Sequence, residues 1–211
     1  MTDPDETDDR TRWNEKYDDP EFQLPEEPIP ELKRLIDELP DGRALDVATG
    51  TGRNALFLAE RGYDVDAVDV SDEALERARE RAADRGVEGN VTWIRADFDA
   101  FDLEPESYDV IAVSFFAALD RLPDLKEALA PDGVLVYEHH LRSADPIDVG
   151  PSSDRFRFRS NDLLRACLDL TVLYYAERRR EVGEGIAADA TIVARKSRGG
   201  RQSYPLVEGT E

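Results

Sequence analysis

The chain has 211 residues, 40% of them hydrophobic, which is enough for one domain with a substantial core and excludes wholesale disorder. Acidic residues outnumber basic ones by 48 to 27, for a formal net charge of −21, and this balance argues against a nucleic-acid partner because phosphate binding needs clustered cations. The single cysteine, Cys167, excludes an internal disulfide and a multi-cysteine zinc site, no metal is expected, and neither a membrane-spanning run nor a secretory leader is evident, so we expect a cytoplasmic protein with no membrane partner.

The acidic excess has two interpretations, a surface for a basic partner or an adaptation to concentrated salt. The second is favoured because the acids are spread along the whole chain and lysine is scarce; the four lysines are Lys16, Lys33, Lys126 and Lys196. At about 1 M salt the Debye length is about 3 Å, so repulsion within such a chain is screened. We therefore expect a halophilic protein.

Residues 1–29 form an acidic N-terminal arm interrupted by prolines. Trp13 and Tyr17 lie four residues apart in this arm, which is the spacing of one face of a short helix. The arm is a possible lid over a binding site. The segment that follows begins at a proline, ends before another and has helical apolar spacing, so it predicts a helix that contains Leu32, Leu35, Ile36 and Leu39.

From residue 44 onward, short apolar runs alternate with helical segments. The runs predict five strands, at Ala44–Ala48, Val65–Val70, Val91–Ile94, Val110–Ser114 and Val134–Tyr137. The segments between them predict helices at Asn54–Arg61, Ser71–Arg85 and Leu122–Leu129. Apolar strands that alternate with helices are typical of a mostly parallel sheet covered on both faces.

After residue 140 the pattern changes to a glycine-, proline- and aspartate-rich loop, then a helix at Ser160–Cys167 in which Cys167 is expected to be buried. Two apolar runs, Leu170–Ala176 and Ala188–Ala194, predict an antiparallel pair. The charged stretch between them contains Arg178–Arg180, which we expect at the turn and in solvent. Residues 196–211 are expected to be a flexible tail, which leaves 30–195 as the domain.

The stretch with the most chemical information is ALDVATGTGRNALFLAERGYDVDAVDVS, residues 44–71. It predicts a strand, a glycine-rich turn, a helix and a second strand. Gly50 and Gly52 let the backbone turn sharply beside a ligand, and the helix that follows presents free N–H groups there. Asp69 stands 19 residues after Gly50, where a carboxylate can bind both hydroxyls of a ribose. Both NAD and S-adenosylmethionine fit this pattern.

Three details favour S-adenosylmethionine over NAD. Asp46 lies four residues before Gly50, where a carboxylate is awkward beside a pyrophosphate but suits a ligand with an ammonium group, directly or through the loop. A further acid, Asp97, follows the third strand, where an adenine amino group can donate to it, with Phe98 beside the ring. A dinucleotide-binding fold has a second mononucleotide-binding half, and this sequence predicts an antiparallel pair in its place.

These residues resemble the class I S-adenosylmethionine-dependent methyltransferases. The first motif of that class, (D/E)xGxGxG, stands here as DVATGTG from Asp46 to Gly52, with Ala48 in place of the first glycine and hence a negative φ expected there. GTGRNALFLAERGYDVDAVDVS, YDVIAVSFF and GVLVYEHH, with RWNEKY in the arm, resemble the small tellurite-resistance-type methyltransferases. The resemblance implies a Rossmann-like α/β fold, a seven-stranded mostly parallel sheet with one antiparallel strand and helices on both faces.

The resemblance further implies S-adenosyl-L-methionine as cofactor and in-line methyl transfer to a small-molecule acceptor. The residues it implies in cofactor binding are Asp46, Ala48, Thr49, Gly50 and Gly52 for the methionine part, Asp69 for the ribose, Asp97 and Phe98 for the adenine, and Ser114 near the sulfonium. Phe115 is implied at the border with the substrate, and Trp13 and Tyr17 are implied as residues that close the site.

Two histidines, His139 and His140, end the fifth predicted strand, at the edge where ligands bind in open α/β sheets. A histidine there could take a proton from an oxygen or nitrogen nucleophile, and strand alternation lets at most one of the two face the site. Arg155 and Arg157 are candidates for binding an anionic group of the substrate.

Three other functions stay open at this stage. They are an NAD-dependent oxidoreductase, which Asp46 disfavours, a non-catalytic S-adenosylmethionine-binding regulator, and a methyltransferase that acts on a macromolecule. The identity of the acceptor and the oligomeric state have no pattern in the sequence.

Overall fold

A computed structural model describes residues 9–19, 22, 25–197 and 199–205. Parts of the predicted arm and tail, namely 1–8, 20–21, 23–24, 198 and 206–211, lie outside the described residues. The helices are α1 Asp9–Asp18, α2 Pro30–Leu35, α3 Arg53–Glu60, α4 Asp72–Arg85, α5 Leu122–Ala128 and α6 Asp162–Ala166. The strands are β1 Arg43–Val47, β2 Asp64–Asp69, β3 Val91–Arg95, β4 Tyr108–Ser114, β5 Leu129–His140, β6 Thr171–Val182 and β7 Gly185–Arg195.

The seven strands form one sheet in the order β3-β2-β1-β4-β5-β7-β6. β7 is antiparallel to both of its neighbours, and the other pairs are parallel. The predicted seven-stranded sheet with one antiparallel strand is therefore confirmed. The chain adds strands outward from β1 to β3, then returns to the middle of the sheet and adds β4 and β5 on the other side of β1. Ligands bind beyond the carboxyl ends of the strands at such a switch point, here between β1 and β4.

Both faces of the sheet are covered, as predicted. On one face, α2, α3 and part of α4 pack on the apolar side chains of the sheet, and on the other α5 and α6 do so. Successive side chains of a strand point to opposite faces of the sheet, and along β1 Ala44 belongs to the core on one face and Leu45 to the core on the other. Cys167 is fully buried, which confirms its expected burial, and burial raises the pKa of its thiol to about 12.

The strands of the C-terminal hairpin are longer than predicted, so Arg178, Arg179 and Arg180 lie inside β6 and not in its turn. The expected position at the turn is therefore wrong, although Arg178 and Arg179 are exposed as expected. Each guanidinium pairs with a carboxylate, Arg178 with Glu31, Arg179 with Asp145 and Arg180 with Asp189. These ion pairs allow a charged segment to continue the strand.

The described part of the arm contains α1, which packs on the start of α4. Ser71 Oγ, at the N-cap of α4, donates to Asn14 Oδ1 at 2.7 Å, and Arg10 pairs with Asp72. Within the described ranges, no helix has both the length and the apolar character needed to cross a membrane.

Candidate active site

The glycine turn links β1 to α3 and has three left-handed residues, Ala48 with φ 51°, Gly50 with φ 54° and Gly52 with φ 82°. The expectation of a negative φ at Ala48 is wrong. Thr49 N–H donates to the Val68 carbonyl at 3.0 Å, so the turn is fixed to β2, and this connection keeps Ala48 in the conformation that a glycine would adopt. Alanine accepts it at a cost of about 1–2 kcal/mol.

The Asp46 carboxylate stabilises this turn by accepting hydrogen bonds from it and from α3. Its side chain is fully buried, and it accepts hydrogen bonds from Thr49 Oγ1 at 2.5 Å, Asn54 Nδ2 at 3.3 Å and Ala55 N–H at 3.1 Å. Burial raises the pKa of Asp46 to about 6, although these three donors and the charge of Arg53 lower it. All of these partners belong to the turn and to α3, so the Asp46 carboxylate holds the turn in place.

Asp69 ends β2 beside the same turn. One carboxylate oxygen accepts from Gly50 N–H at 2.8 Å and the other from Ser71 N–H at 2.9 Å. Burial raises the pKa of Asp69, and the hydrogen bonds from the backbone oppose that rise. The side chain is 7% exposed. The Val70 N–H also opposes the rise in the pKa of Asp69, and a carboxylate with about four lone-pair positions can still accept from a further donor.

Arg53, the first residue of α3, crosses to the end of β5 and pairs with Glu138. The same guanidinium contacts the hydroxyl of Ser114 at the end of β4, which donates to Glu138 Oε1 at 2.8 Å. Both charged side chains are buried, with 11% and 4% exposed. A third contact runs from Arg53 Nη1 to the carbonyl of Glu27 at 2.8 Å. This cluster fixes the glycine turn relative to β4 and β5.

The two histidines occupy different environments, as strand alternation predicted. His139 is buried, its Nε2 lies 3.0 Å from the Phe156 carbonyl and its ring packs on Phe158, and burial lowers its pKa to about 4. The ring of His140 stacks on Phe115 with centroids 4.3 Å apart, and its Nδ1 lies 2.8 Å from Asp189 Oδ1. Of the two candidates, His140 lies on the face that carries Arg53 and Glu138.

The two residues expected at the adenine differ in position. Asp97 is exposed and one of its oxygens caps the next turn, accepting from Asp99 N–H at 3.0 Å. Phe98 is 4% exposed and packs edge-on against Phe116 in the core below α5. Phe98 thus has little exposed surface, and its place beside the adenine stays a prediction.

The aromatic residues of the arm lie close to the end of β2. Tyr17 is buried, and it lies near enough to Asp69 for that carboxylate to add to the effect of burial in raising the pKa of the phenol. Trp13 is half-buried, with its ring centroid 6.0 Å from that of Tyr17. The ammonium of Lys16 lies 4.6 Å from the centroid of Trp13. The arm therefore contacts the segment that carries Asp69.

Arg157 is not available to an anion. The residue is 7% exposed. Its guanidinium donates to the carbonyls of Pro151, Leu141 and Val149 at 2.9–3.2 Å. The expectation that Arg157 binds a substrate anion is wrong, because these carbonyls of the 141–158 loop need a donor and use all of its nitrogens. Arg155 is exposed and covers the ring of Phe156.

The sequence analysis missed Arg53 and Asp189 and expected Arg180 in solvent, whereas Glu138, next to the two histidines in the sequence, was a candidate of the same kind. Asp189 had a visible signal, since it is a lone acid in the apolar run that became β7. Its burial at 2% exposure requires a partner, and it has two, His140 and Arg180. Among the residues that the structure describes, no group of three or more His, Cys, Asp and Glu side chains is placed to hold a metal ion.

Comparison with known proteins gives a consistent identification. A family model described as a methyltransferase domain matches residues 44–133. The chain is 34% identical over 125 residues to the ubiquinone/menaquinone biosynthesis C-methyltransferase UbiE of Azotobacter vinelandii, covering 55% of this chain and 49% of the relative. It is 39% identical over 101 residues to the demethylmenaquinone methyltransferase of Thermus thermophilus, covering 44% and 45%. The chain thus spans about half the length of these curated relatives.

Solved structures give the same fold at lower identity. TehB from Haemophilus influenzae superimposes with a TM-score of 0.69 and 21% identity, covering 89% of this chain and 66% of that one. An S-adenosylmethionine-dependent methyltransferase from Methanosarcina mazei gives 0.65 and 16%, covering 81% and 99%. One from Aquifex aeolicus gives 0.58 and 22%, covering 88% and 97%. A methyltransferase-domain match over residues 44–133, the sheet order and these superpositions together show that the chain has a Rossmann-like class I methyltransferase fold similar to that of TehB.

Proposed function

We propose that this protein transfers a methyl group from S-adenosylmethionine to a small-molecule acceptor at the carboxyl edge of β1, β2, β4 and β5. The observation that carries the proposal is the connection between Asp69 and Gly50, because it brings a buried carboxylate with spare lone pairs beside a turn of left-handed residues. The hydroxyls of a ribose need such a hydrogen-bond acceptor. The polar amino-acid part of the ligand needs to come close to the protein backbone, and glycines in the turn allow this because they have no side chain in the way.

The donor set fits this cofactor. Asp69 would hold the ribose, the turn from Ala48 to Gly52 would hold the methionine part, and Asp97, exposed beyond β3, would accept from the adenine amino group. Asp46 would contribute by fixing the turn, since its own oxygens are occupied there. When bound, the cofactor supplies an electrophilic methyl group on a sulfonium. The chain's own residues then bind and orient the acceptor in line with it, and such positioning is worth up to roughly 7–11 kcal/mol.

The acceptor side of this site would consist of Ser114, Phe115 and the 141–158 loop, with α1 as a lid. Tyr17 and Trp13 support that role because they are the apolar anchors of an otherwise acidic segment that lies beside Asp69. A lid would exclude water and confine the acceptor. The acidity of the chain favours a small acceptor over a nucleic acid. Quinone precursors belong among the candidates, because the UbiE relatives are named for quinone biosynthesis.

We include a cytoplasmic location in the proposal. The chain has one cysteine, which is fully buried, so the fold does not depend on a disulfide that an oxidising compartment would supply.

Calorimetric titration in 2 M KCl tests the cofactor, with S-adenosylmethionine, S-adenosylhomocysteine and NAD as ligands. We expect binding of the first two and none of NAD. Binding of NAD alone would contradict the proposal and support an oxidoreductase. Radiolabelled methyl transfer to a panel of phenols, amines and thiols then distinguishes an enzyme from a regulator, which would bind the cofactor without turnover.

A further inference from the structure

His140 rests on a buried ion pair that the proposed function does not use. Nδ1 of His140 lies 2.8 Å from Oδ1 of Asp189, and the other oxygen of Asp189 accepts from Arg180 Nε at 2.7 Å. Burial alone would raise the pKa of Asp189, but the hydrogen bond from His140 and the charge of Arg180 outweigh it and hold that pKa below its usual value. An ionised Asp189 accepts a proton-bearing Nδ1, so this contact assigns the Nδ1–H tautomer to the neutral ring.

The second nitrogen of the ring is left for another partner. Within the described residues Nε2 of His140 has no hydrogen bond, and it is not among the unpaired atoms that are sealed from solvent. Phe115 stacks on one side of the ring at an interplanar angle of 16°. On the other side lies Gly150, where a Cβ would come within 2.9 Å of the ring. The ring is thus held in place with one basic atom accessible.

That atom belongs to the same edge of the sheet as the glycine turn. Phe115, which stacks on His140, also lies under the guanidinium of Arg53, whose carbon is 5.6 Å from the ring centroid. Glu138 and His140 are two residues apart on β5 and therefore share a face, and Glu138 is the partner of Arg53. A continuous series of contacts thus connects the ring to the first residue after Gly52.

We propose that His140 is the general base of the transfer, that Asp189 and Arg180 are its positioning residues, and that the acceptor atom is a hydroxyl oxygen or a neutral N–H nitrogen, which has both a lone pair and a hydrogen to give up. This rests on the proposed function. The lone pair of Nε2 takes the O–H or N–H proton of the acceptor while that oxygen or nitrogen bonds to the methyl carbon. The bond from this carbon to sulfur breaks with its electron pair left on sulfur, and the imidazolium later releases its proton to solvent.

A thiolate or an inorganic anion is already ionised and would need no base. A general base at this position therefore favours acceptors with an O–H or N–H over acceptors that are anions. Charged and titratable groups around His140 are Asp189 from β7, Arg180 from β6, the neighbouring His139, the Glu138–Arg53 pair on the same face of β5, and Arg157 from the covering loop, whose nitrogens are occupied by carbonyls. The charges of Asp189 and Arg180 offset each other. The ring therefore changes its own charge beside a neutral pair when it takes a proton.

Histidine nitrogen NMR tests the tautomer without any turnover. The chain has two histidines, so His139→Gln protein labelled with 15N-histidine and loaded with S-adenosylhomocysteine reports His140 alone. We expect Nδ1–H with an unprotonated, solvent-accessible Nε2 at pH 8, and a mixture of tautomers in the additional Asp189→Asn variant. A proton on Nε2 in the presence of Asp189 would overturn the proposal.

Methyl transfer to chosen probes tests the base itself. The probes are 2-naphthol and catechol, whose hydroxyls keep their proton at neutral pH, and benzenethiol, which ionises on its own. We expect His140→Gln to slow transfer to the protonated probes by at least about 100-fold and to abolish the acidic limb of the pH–rate profile, with transfer to benzenethiol unchanged. His139→Gln, on the opposite face of the same strand, is the matched control and should keep both activities.

The outcomes separate this proposal from the cofactor assignment. Equal losses toward both probe classes in His140→Gln, no loss toward either, or a wild-type protein that methylates benzenethiol alone would overturn the role of His140. Calorimetry with S-adenosylhomocysteine should give the same affinity for His140→Gln as for the wild type. Failure of the wild type to bind it would refute the proposed function instead.

Discussion

Asp69 and Gly50 are joined by a 2.8 Å hydrogen bond from the backbone N–H of the turn to the carboxylate at the end of β2. The two residues are 19 positions apart in the chain, and their hydrogen bond connects the end of the second strand to the glycine turn. Asp69 therefore has two functions in our proposal, since it fixes the turn and receives the ribose. The first prediction follows from this double role.

Asp69→Ala should lower the affinity for S-adenosylhomocysteine by more than tenfold, because a hydrogen bond to a charged group is worth roughly 1.5–3 kcal/mol. Isothermal calorimetry measures the loss, and circular dichroism verifies the fold. Asp64→Ala, at the exposed opposite end of β2, is the control and should bind normally. Unchanged affinity in Asp69→Ala would show that this carboxylate does not bind the ligand.

Ala48→Gly should raise the free energy of unfolding by about 1 kcal/mol, because glycine adopts a φ of 51° without the strain that a Cβ introduces. Gly52→Ala should have the opposite effect. Its φ is 82°, and the new Cβ would lie 3.0 Å from the ring of Trp93. Urea denaturation compares the two variants with the wild type. Stabilisation of both, or of neither, would show that the turn is not under strain.

Asp46→Asn should alter the pH dependence of stability. Burial raises the pKa of Asp46 to about 6 from a usual 3.8, so the folded state binds more protons than the unfolded state between these values. Stability therefore falls as the pH rises from about 4 to 6 and the ionised side chain stays buried, at a cost of a few kcal/mol. The variant lacks this loss. We expect its unfolding free energy, minus that of the wild type, to increase across this range.

Urea denaturation from pH 4 to pH 7 measures that difference, with the exposed Asp99→Asn as control. A constant difference would mean that Asp46 ionises as easily in the fold as in water.

Deletion of residues 1–22 should leave a folded domain with weaker cofactor binding and little or no methyl transfer. The deletion removes the contacts of Tyr17 near Asp69 and of Asn14 with Ser71. S-adenosylhomocysteine calorimetry and a transfer assay measure the two losses. Full activity of the shortened protein would refute a lid, and loss of folding would mean that Tyr17 and Trp13 belong to the core.

The melting temperature should rise between about 0.1 M and about 2 M KCl, because salt screens the repulsion of a net charge of −21. The buried pair of Arg53 and Glu138 is shielded from salt and should not offset this gain. Differential scanning calorimetry measures the trend, with NaCl in place of KCl as the control. A flat or falling trend would contradict salt adaptation and favour an acidic surface for a basic partner.

The sequence by itself determined the order of strands and helices, the C-terminal antiparallel pair, and the turn followed by Asp69. These features depend on local patterns, since the period of apolar residues and the glycines are visible within one βαβ unit. The sequence also limited the histidines to one facing the site, because alternate residues of a strand point to opposite faces.

Only the tertiary structure decided which side chains meet. His140 contacts Asp189, 49 positions later in the chain, because β5 and β7 are adjacent, and no local pattern encodes that pairing. The same pairing of distant segments supplied Arg53 to Glu138, while the folding of the 141–158 loop on itself committed Arg157 to its carbonyls. The physical reason is that a buried charge must find its partner wherever the fold brings one, so its role is set by packing and not by the residues beside it in sequence.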